Sequence, residues 1–225
     1  MSIYKNGVWK ENNIHEFRLP SEYIRLDYIQ TDGTQYINTG IKGDAIHFYE
    51  LAWLKEGVTR QLMGYGGNSQ EYWGLQSKST GKIELGGATS FLPTVDITQR
   101  QCYKWEFHHD NAINRIYLNN TMVLSASANP DVTNRPIILF NIYANTNTYT
   151  TNVRLYSYMI KNWNNQILAY YLPAKRISDN KAGLYEVLSK TFVLSGNNNN
   201  FIAGPINNKA KIFKEQICSN EFIEI

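Results

Sequence analysis

Residues 151–204 read TNVRLYSYMIKNWNNQILAYYLPAKRISDNKAGLYEVLSKTFVLSGNNNNFIAG, and the fold is expected to be organised around them. The first part predicts a long β-hairpin, because Asn152–Lys161 is rich in β-branched, aromatic and long apolar residues. The asparagines of Asn162–Gln166 tolerate the left-handed backbone angles that a turn needs. The return arm, Ile167–Leu172, is expected to stop at Pro173, because proline cannot donate to a central ladder.

Two shorter strands are predicted after the hairpin. Leu184–Leu188 and Thr191–Leu194 are rich in apolar residues, and the tight turn Ser189–Lys190 separates them. A hairpin of this length needs another sheet to cover its apolar face. The remainder of the chain is therefore expected to supply that second layer.

The upstream sequence contains further strand candidates. Cys102–His109 alternates most clearly, since one face carries Trp105 and Phe107 while polar residues occupy the other. The other candidates are Gln35–Ile41, Ala45–Leu54, Arg60–Tyr65, Glu71–Gln76, Lys82–Leu85, Ile113–Leu118, Met122–Ala126 and Pro136–Tyr143. Ser21–Gln30 fits either a short helix or an extended lead-in, and Phe91–Gln99 is expected to be a loop. Short strands separated by turn signals predict an all-β fold, a two-sheet antiparallel jelly-roll sandwich.

The composition excludes several classes of protein. The chain has 225 residues, 43% of them hydrophobic and 18% charged, and a net charge of +3 without a basic stripe, so no nucleic-acid partner is expected. No apolar run approaches the ~18 residues that a membrane span needs, and the N-terminus lacks an export-signal pattern. Synthesis in a cytoplasm is therefore expected. Whether Cys102 and Cys218 pair is left open, because two cysteines make no disulfide framework.

No catalytic site is predicted. A glycosidase of this architecture can carry an E-x-D-x-x-E strand, whose first two carboxylates lie on one face as an acid and a nucleophile need, and the chain has none. His108 and His109 are adjacent, so in a strand their rings face opposite sides and cannot share a metal ion. No cofactor and no metal site are expected, although calcium bound by loop acids is left open. Those acids are Asp96, Asp110, Asp131 and Asp179.

Three regions are expected along the chain. Residues 1–18 form an N-terminal arm, 19–204 the jelly roll, and 205–225 a C-terminal tail. Both ends carry apolar and aromatic residues of the kind that supply interface energy, although packing onto their own domain is the alternative. The candidate partner-binding residues are Tyr4, Val8, Trp9, Phe213 and Phe222.

Three phrases carry a resemblance to a known family: LPSEYIRLDYIQTDGTQYINTGI at 19–41, VRLYSYMIKNWNNQILAYYLPAKR at 153–176 and GLYEVLSKTFVLSGNNNNFIAG at 183–204. They resemble the opening, the long hairpin and the closing strands of laminin-G-like, concanavalin A-like jelly rolls. Such domains are frequent in virion proteins of gut bacteriophages and in surface proteins of their bacterial hosts. Two departures are Ala174, where many relatives carry cysteine, and Asn197–Asn200, which replaces a more glycine-rich turn.

The resemblance implies a non-enzymatic virion structural or accessory protein. It would decorate the capsid or belong to a head fibre or tail, attach to other virion proteins through its termini, and form a homo-oligomer or multi-copy assembly in a particle built in the host cytoplasm.

The alternative is a carbohydrate-binding module or adhesin that recognises host glycans, placed at a bacterial surface or outside the cell. Sugars bind aromatic faces together with a few amide and hydroxyl groups, and several aromatic residues fall in or near predicted loops. The candidate glycan contacts are Tyr65, Tyr72, Trp73, Tyr143 and Tyr149, each of which could instead be a packing residue.

Overall fold

A computed structural model describes the backbone of residues 3–5, 8–10, 18–42, 45–53, 60–65, 73–77, 82–87, 90–91, 95–96, 102–109, 113–127, 136–141 and 152–207. These ranges contain strands and turns and no helix. In chain order the strands are β1 (Ile3–Lys5), β2 (Val8–Lys10), β3 (Tyr23–Arg25), β4 (Ile29–Gln30), β5 (Ile37–Asn38), β6 (Ala45–Trp53), β7 (Arg60–Tyr65), β8 (Trp73–Ser77), β9 (Lys82–Gly87), β10 (Ser90–Phe91), β11 (Val95–Asp96), β12 (Cys102–His109), β13 (Ile113–Leu118), β14 (Thr121–Ser127), β15 (Ile137–Leu139), β16 (Val153–Lys161), β17 (Ile167–Arg176), β18 (Ala182–Glu186), β19 (Thr191–Val193) and β20 (Ile202–Ala203).

The described strands form two large antiparallel sheets. The larger has eleven strands and runs β14-β13-β12-β6-β16-β17-β18-β19, with β3 paired to β17, β4 paired to β16, and β20 paired to β4. The smaller has seven strands and runs β10-β9-β8-β7-β15-β5, with β11 paired to β9. Strands β1 and β2 pair with each other in a separate two-stranded sheet. The predicted all-β jelly-roll sandwich is confirmed.

Apolar side chains of both sheets form one buried core. Trp105 and Phe107 of β12 lie in it together with Tyr158 of β16, and Leu62 and Ile137 enter it from the smaller sheet. The intervening residues of β12 are partly exposed, as the alternation predicted. The core thereby fixes which face of the larger sheet points outwards.

Most of the predicted strands are confirmed. The β16–β17 hairpin turns through Asn162–Gln166, where Asn165 takes the positive φ expected of a turn asparagine. β6 lies in the interior of the larger sheet between β12 and β16. The alternative left open for Ser21–Gln30 resolves to extended structure, since β3 and β4 lie there. The stretch expected to be a loop, Phe91–Gln99, contains the short strand β11.

The expectation that the return arm ends at Pro173 is wrong. β17 continues to Arg176, and Pro173 is paired with Leu184 of β18. On its other edge, β17 pairs with β16 up to Tyr171 and with β3 from Ala174 onwards. Pro173 lies where β3 replaces β16 as the neighbour of β17. The carbonyl oxygen of Pro173 accepts a hydrogen bond from the backbone N–H of Leu26 at 3.0 Å. Proline has no backbone N–H, and an N–H at this position would point towards the change from β16 to β3. The sheet therefore tolerates the missing N–H.

The first and last described segments of the domain pair with each other. β20 pairs with β4, Leu26 and Ile206 form a further antiparallel bridge, and Asn207 N donates to Arg25 O at 2.9 Å. The boundary expected at residue 204 stays a prediction, although backbone pairing runs to Asn207. None of the described residues belongs to a helix of the length and apolar character that crossing a bilayer requires.

Candidate functional site

The outward face of the larger sheet carries aromatic and charged side chains in cross-strand rows. One row crosses five strands, and its members are consecutive partners in the sheet register. They are Tyr117, Glu106, Phe48, Met159 and Tyr170. Because side chains alternate along a strand, their buried sequence neighbours point into the core and this row points away from it.

Three aromatic rings meet at one end of this face. The ring of His108 lies 4.9 Å from that of Tyr117 and 5.6 Å, edge to face, from that of Trp163. Trp163 is in the turn between β16 and β17 and is 44% exposed. Nε2 of His108 is hydrogen-bonded to a carboxylate oxygen of Glu106 on the same face of β12. The arrangement presents an accessible ring beside a carboxylate and an imidazole.

A buried lysine lies on the same face. Lys161 is only 6% exposed, and its Nζ lies 5.4 Å from the centre of the Phe48 ring. A cation over an aromatic face is stabilised by about 0.5–2 kcal/mol, depending on how far it is desolvated. We call Phe48, Glu106, His108, Tyr117, Lys161 and Trp163 the His108 cluster.

A second group of side chains lies further along the face. The guanidinium of Arg154 is 4.8 Å from the centre of the Tyr28 ring, and its Nε donates to Gln30 Oε1 at 3.0 Å. The rings of Tyr28 and Tyr156 are 5.4 Å apart, edge to face. We call Tyr28, Gln30, Arg154 and Tyr156 the Arg154 cluster.

The Tyr156 hydroxyl of the Arg154 cluster is protonated. Burial raises the pKa of Tyr156, and the Cys102 thiol raises it further, while the charge and hydrogen bond of Arg154 oppose the rise. The hydroxyl therefore stays a hydrogen-bond donor at any pH near neutrality.

A second arginine lies close to the Arg154 cluster in the sheet. Burial lowers the pKa of Arg25 to about 10, while Tyr170, Asp27 and Glu50 partly offset the effect. Its Nη1 atom is buried and has no hydrogen-bond partner in the part of the chain that the structure describes. The negative charges of Asp27 and Glu50 therefore stabilise the charged form of Arg25.

The histidines play different roles. His47 is fully buried, and its Nδ1 lies 2.9 Å from Tyr158 Oη. Its ring stacks with Phe107 at 5.5 Å and with Tyr158 at 6.1 Å, so it is a core residue. His108 is partly exposed and contacts Glu106, Tyr117 and Trp163 instead.

Two of the five predicted glycan contacts lie in the smaller sheet. Tyr65 and Trp73 are cross-strand partners in β7 and β8 of the smaller sheet, where only their backbone is described. Tyr72, Tyr143 and Tyr149 lie outside the described residues. Nothing in the structure brings these five together as a site, and they stay predictions.

The predicted partner-binding residues are only partly covered by the structure. Tyr4 and Trp9 face each other in the β1–β2 pair, where Val8 pairs with Lys5. Phe213 and Phe222 lie outside the described residues. The expected arm and tail contacts with a partner therefore stay predictions.

The acids considered for calcium are placed differently from one another. Asp179 forms an ion pair with Arg176 at 2.6 Å, which with its hydrogen bond lowers the pKa of Asp179 to about 2. Asp96 lies 3.5 Å from Lys82 Nζ, and Asp110 and Asp131 fall outside the described residues. Within the described ranges, no three histidine, cysteine, aspartate or glutamate residues are grouped so as to hold a metal ion.

Sequence reasoning missed the residues of both clusters. The alternation of β12 already assigned Glu106 and His108 to its polar face, and Trp163 is a lone aromatic residue in an asparagine-rich turn. Those two signals could have indicated the His108 cluster. No comparable signal existed for the Arg154 cluster, because Gln30 and Arg154 are 124 residues apart.

Comparisons with known proteins agree on the architecture. No protein-family model matches the chain, and no curated protein sequence matches it. A solved structure of a proposed carbohydrate-binding protein from Bacteroides ovatus is similar over 82% of this chain and 61% of its own, with 10% identity and a TM-score of 0.57. This chain therefore spans about 61% of the length of that protein.

Two further similarities are weaker. The CBM40 module of the Ruminococcus gnavus IT-sialidase, bound to a sialyllactose, matches 66% of this chain and 91% of its own with 10% identity and a TM-score of 0.46. A galectin from Caenorhabditis elegans matches 63% of this chain and 96% of its own with 10% identity and a TM-score of 0.43. At 10% identity, the Bacteroides ovatus structure shows a shared fold alone, so the site is argued from this chain.

Proposed function

We propose that the protein is a non-catalytic carbohydrate-binding domain whose site is the His108 cluster. The observation that carries the proposal is the exposed ring of Trp163 packed against His108, with Glu106 on the same strand as His108 and Tyr117 on the neighbouring strand. An exposed aromatic ring therefore lies beside hydrogen-bonding groups. The resemblance to a proposed carbohydrate-binding protein supports the proposal at the level of architecture.

The chemistry of the cluster suits a sugar. One face of a pyranose ring is lined by C–H groups and can stack on an aromatic ring, while its hydroxyls need hydrogen-bond partners. Trp163 offers the ring, and Glu106 and His108 place a carboxylate and an imidazole beside it for the sugar hydroxyls. The bond between these two side chains holds both in place before the ligand arrives, which reduces the ordering cost of binding.

The exposed area of Trp163 sets the scale of the effect. A tryptophan side chain buries on the order of 250 Å² at most, so a ring that is 44% exposed offers roughly 100 Å². Covering that area stabilises a complex by roughly 2 kcal/mol at about 25 cal/mol per Å². Truncating the side chain is therefore expected to weaken binding by at least about tenfold.

Glycan-array screening followed by calorimetry tests the proposal. Trp163→Ala is expected to lower the affinity for the best neutral oligosaccharide at least about tenfold. Leu188→Ala, a matched control that truncates a side chain 53% exposed in another turn, is expected to bind as the wild type does. Binding that survives Trp163→Ala and is lost in Trp73→Ala would move the site to the smaller sheet and overturn this one.

One site of this size gives weak affinity, so useful retention on a surface needs many copies. We propose that the domain acts as part of a larger glycan-binding protein or assembly, at a bacterial surface or outside the cell. The virion role implied by the family resemblance, with its capsid or fibre partners, has no support from the structure or the comparisons and stays a prediction.

A further inference from the structure

The guanidinium of Arg154 is held in place by neutral groups. It lies over the ring of Tyr28, donates from Nε to Gln30, and hydrogen-bonds the hydroxyl of Tyr156. The Tyr28 ring supports the guanidinium, and the bond to Gln30 holds Nε. The side chain is thus oriented before any ligand binds.

No carboxylate in the described part of the chain forms an ion pair with Arg154. The charges of Asp27 and Glu50 partly offset the effect of burial on the pKa of Arg25. An arginine has five N–H donors, of which Nε already uses one, so the two NH₂ groups retain donors for a further acceptor. A planar carboxylate matches such a guanidinium edge with two parallel hydrogen bonds.

The backbone packing around Tyr28 also indicates a built site. Gly204 lies so close that an added Cβ would be 2.9 Å from the Cγ and Cδ2 atoms of the Tyr28 ring. The Tyr28 ring is therefore confined between the backbone of Gly204 and the side chains of Arg154 and Tyr156. A ring held in this way gives the Arg154 guanidinium a fixed support.

We propose that the Arg154 cluster is a second subsite, which binds the carboxylate of an acidic sugar. The inference rests on the proposed function and extends it from neutral sugars to uronic-acid-containing oligosaccharides. Arg154 forms two hydrogen bonds to the carboxylate, and the protonated hydroxyl of Tyr156 donates to a neighbouring oxygen of the ligand.

The two clusters lie on one face and can serve one chain. Cys102, in the cross-strand row of Arg154, is six residues from His108 on β12. At about 3.4 Å per residue the two rows are roughly 20 Å apart. An oligosaccharide of several units can therefore contact Trp163 with one sugar and Arg154 with another.

The first test uses nuclear magnetic resonance on the ¹⁵N-labelled full chain. The Nε–H signal of Arg154, assigned by its loss in Arg154→Lys, is followed during titration with sodium glucuronate and with neutral methyl glucoside. Glucuronate is expected to shift the signal and methyl glucoside to leave it unchanged. Equal responses to the two sugars, or no response to glucuronate, would overturn the subsite.

The second test uses calorimetry with a uronic-acid oligosaccharide and a neutral one of equal length. Arg154→Gln is expected to lower affinity for the acidic ligand about tenfold or more and to leave the neutral one unchanged. Arg154→Lys is expected to restore only part of the loss, because an ammonium lacks the planar fork. Lys82→Gln is the matched control, since it removes one positive charge from the smaller sheet.

The outcomes separate the two proposals. An unchanged ratio of acidic to neutral affinity in Arg154→Gln overturns the acidic subsite and leaves the His108 cluster standing. Loss of acidic-ligand binding in Arg154→Gln, with no effect of Trp163→Ala on either ligand, overturns the His108 cluster and supports the acidic subsite. The carboxylate assignment would be overturned by a sulfated oligosaccharide that binds as tightly as the uronic-acid oligosaccharide and loses as much affinity in Arg154→Gln.

Discussion

Replacing Gly204 by alanine is expected to strain the sheet and disturb the Arg154 cluster together. The added Cβ would lie 2.7 Å from the backbone oxygen of Tyr28 and 2.9 Å from two of its ring carbons. The same oxygen accepts a hydrogen bond from Gly204 N at 3.0 Å, so relief of the clash must separate two bonded segments. The φ of Gly204 lies outside the left-handed region, and the effect is therefore steric.

The expected loss of stability follows from these two contacts. Overpacking in a well-packed region costs about 1–3 kcal/mol. Weakening the Gly204–Tyr28 hydrogen bond adds about 0.5–1.5 kcal/mol. Together they give roughly 2–4 kcal/mol, which in a domain of this size lowers Tm by roughly 4–15 °C.

Thermal unfolding followed by tryptophan fluorescence measures the change, and Gly40→Ala is the matched control. Gly40 has a φ of +71° and no atom within 4 Å of its added Cβ, so its substitution costs only the left-handed strain of about 1–2 kcal/mol. A smaller fall in Tm for Gly204→Ala than for Gly40→Ala would refute the packing argument. Gly204→Ala is also expected to weaken binding of the uronic-acid oligosaccharide and to leave binding of the neutral one unchanged.

Two further substitutions test the core and the turn after β18. Tyr158→Phe removes the hydroxyl that contacts His47 in the core, and denaturant titration is expected to show a loss of about 1–3 kcal/mol. Glu186→Gln is expected to lose about 1.5–3 kcal/mol at pH 7, because backbone N–H groups of Tyr170, Leu188 and Ser189 donate to the Glu186 carboxylate. Burial opposes the charged form of Glu186, but these hydrogen bonds outweigh it and lower its pKa below the ordinary 4.5. The Glu186 contribution is therefore fully present above pH 4.5 and is lost as pH falls through the lower folded-state pKa. The difference in unfolding free energy between wild type and Glu186→Gln should therefore shrink as the pH is lowered from 7 towards 3. A difference that stays constant between pH 7 and pH 3 would contradict this account.

The strands that could be predicted are those whose signals are local. Cys102–His109 alternates through its whole length, and the β16–β17 hairpin has turn asparagines between its arms. The early strands β3 and β4 were ambiguous, because their pairing partners lie more than a hundred residues away in β16, β17 and β20. The prediction that β17 ends at Pro173 was wrong for the same reason. β17 continues because β3, which is distant in sequence, replaces β16 as its neighbour there.

The proposed site was less predictable than the fold. Choosing aromatic residues near loops led to Tyr65 and Trp73, whereas the outward face of the larger sheet is made of strand residues. Alternation shows that a residue such as His108 faces outwards, but it does not show which residues of other strands lie beside it. That information resides in the register of β6, β12, β13 and β16, which only the assembled sheet provides.

The pairing of β4 with β20 has a mechanical consequence. The segment from Arg25 to Gln30 and the segment from Ile202 to Asn207 run side by side in opposite directions, with the Arg25–Asn207 bond at one end of the pair. A force that pulls the two ends apart would load the Arg25–Asn207 bond first and then peel the remaining bonds away one after another. Hydrogen bonds that break one at a time resist only a low force. A domain held at both ends would therefore begin to unfold at the β4–β20 pair, whereas a domain held at one end would carry no force through this pair.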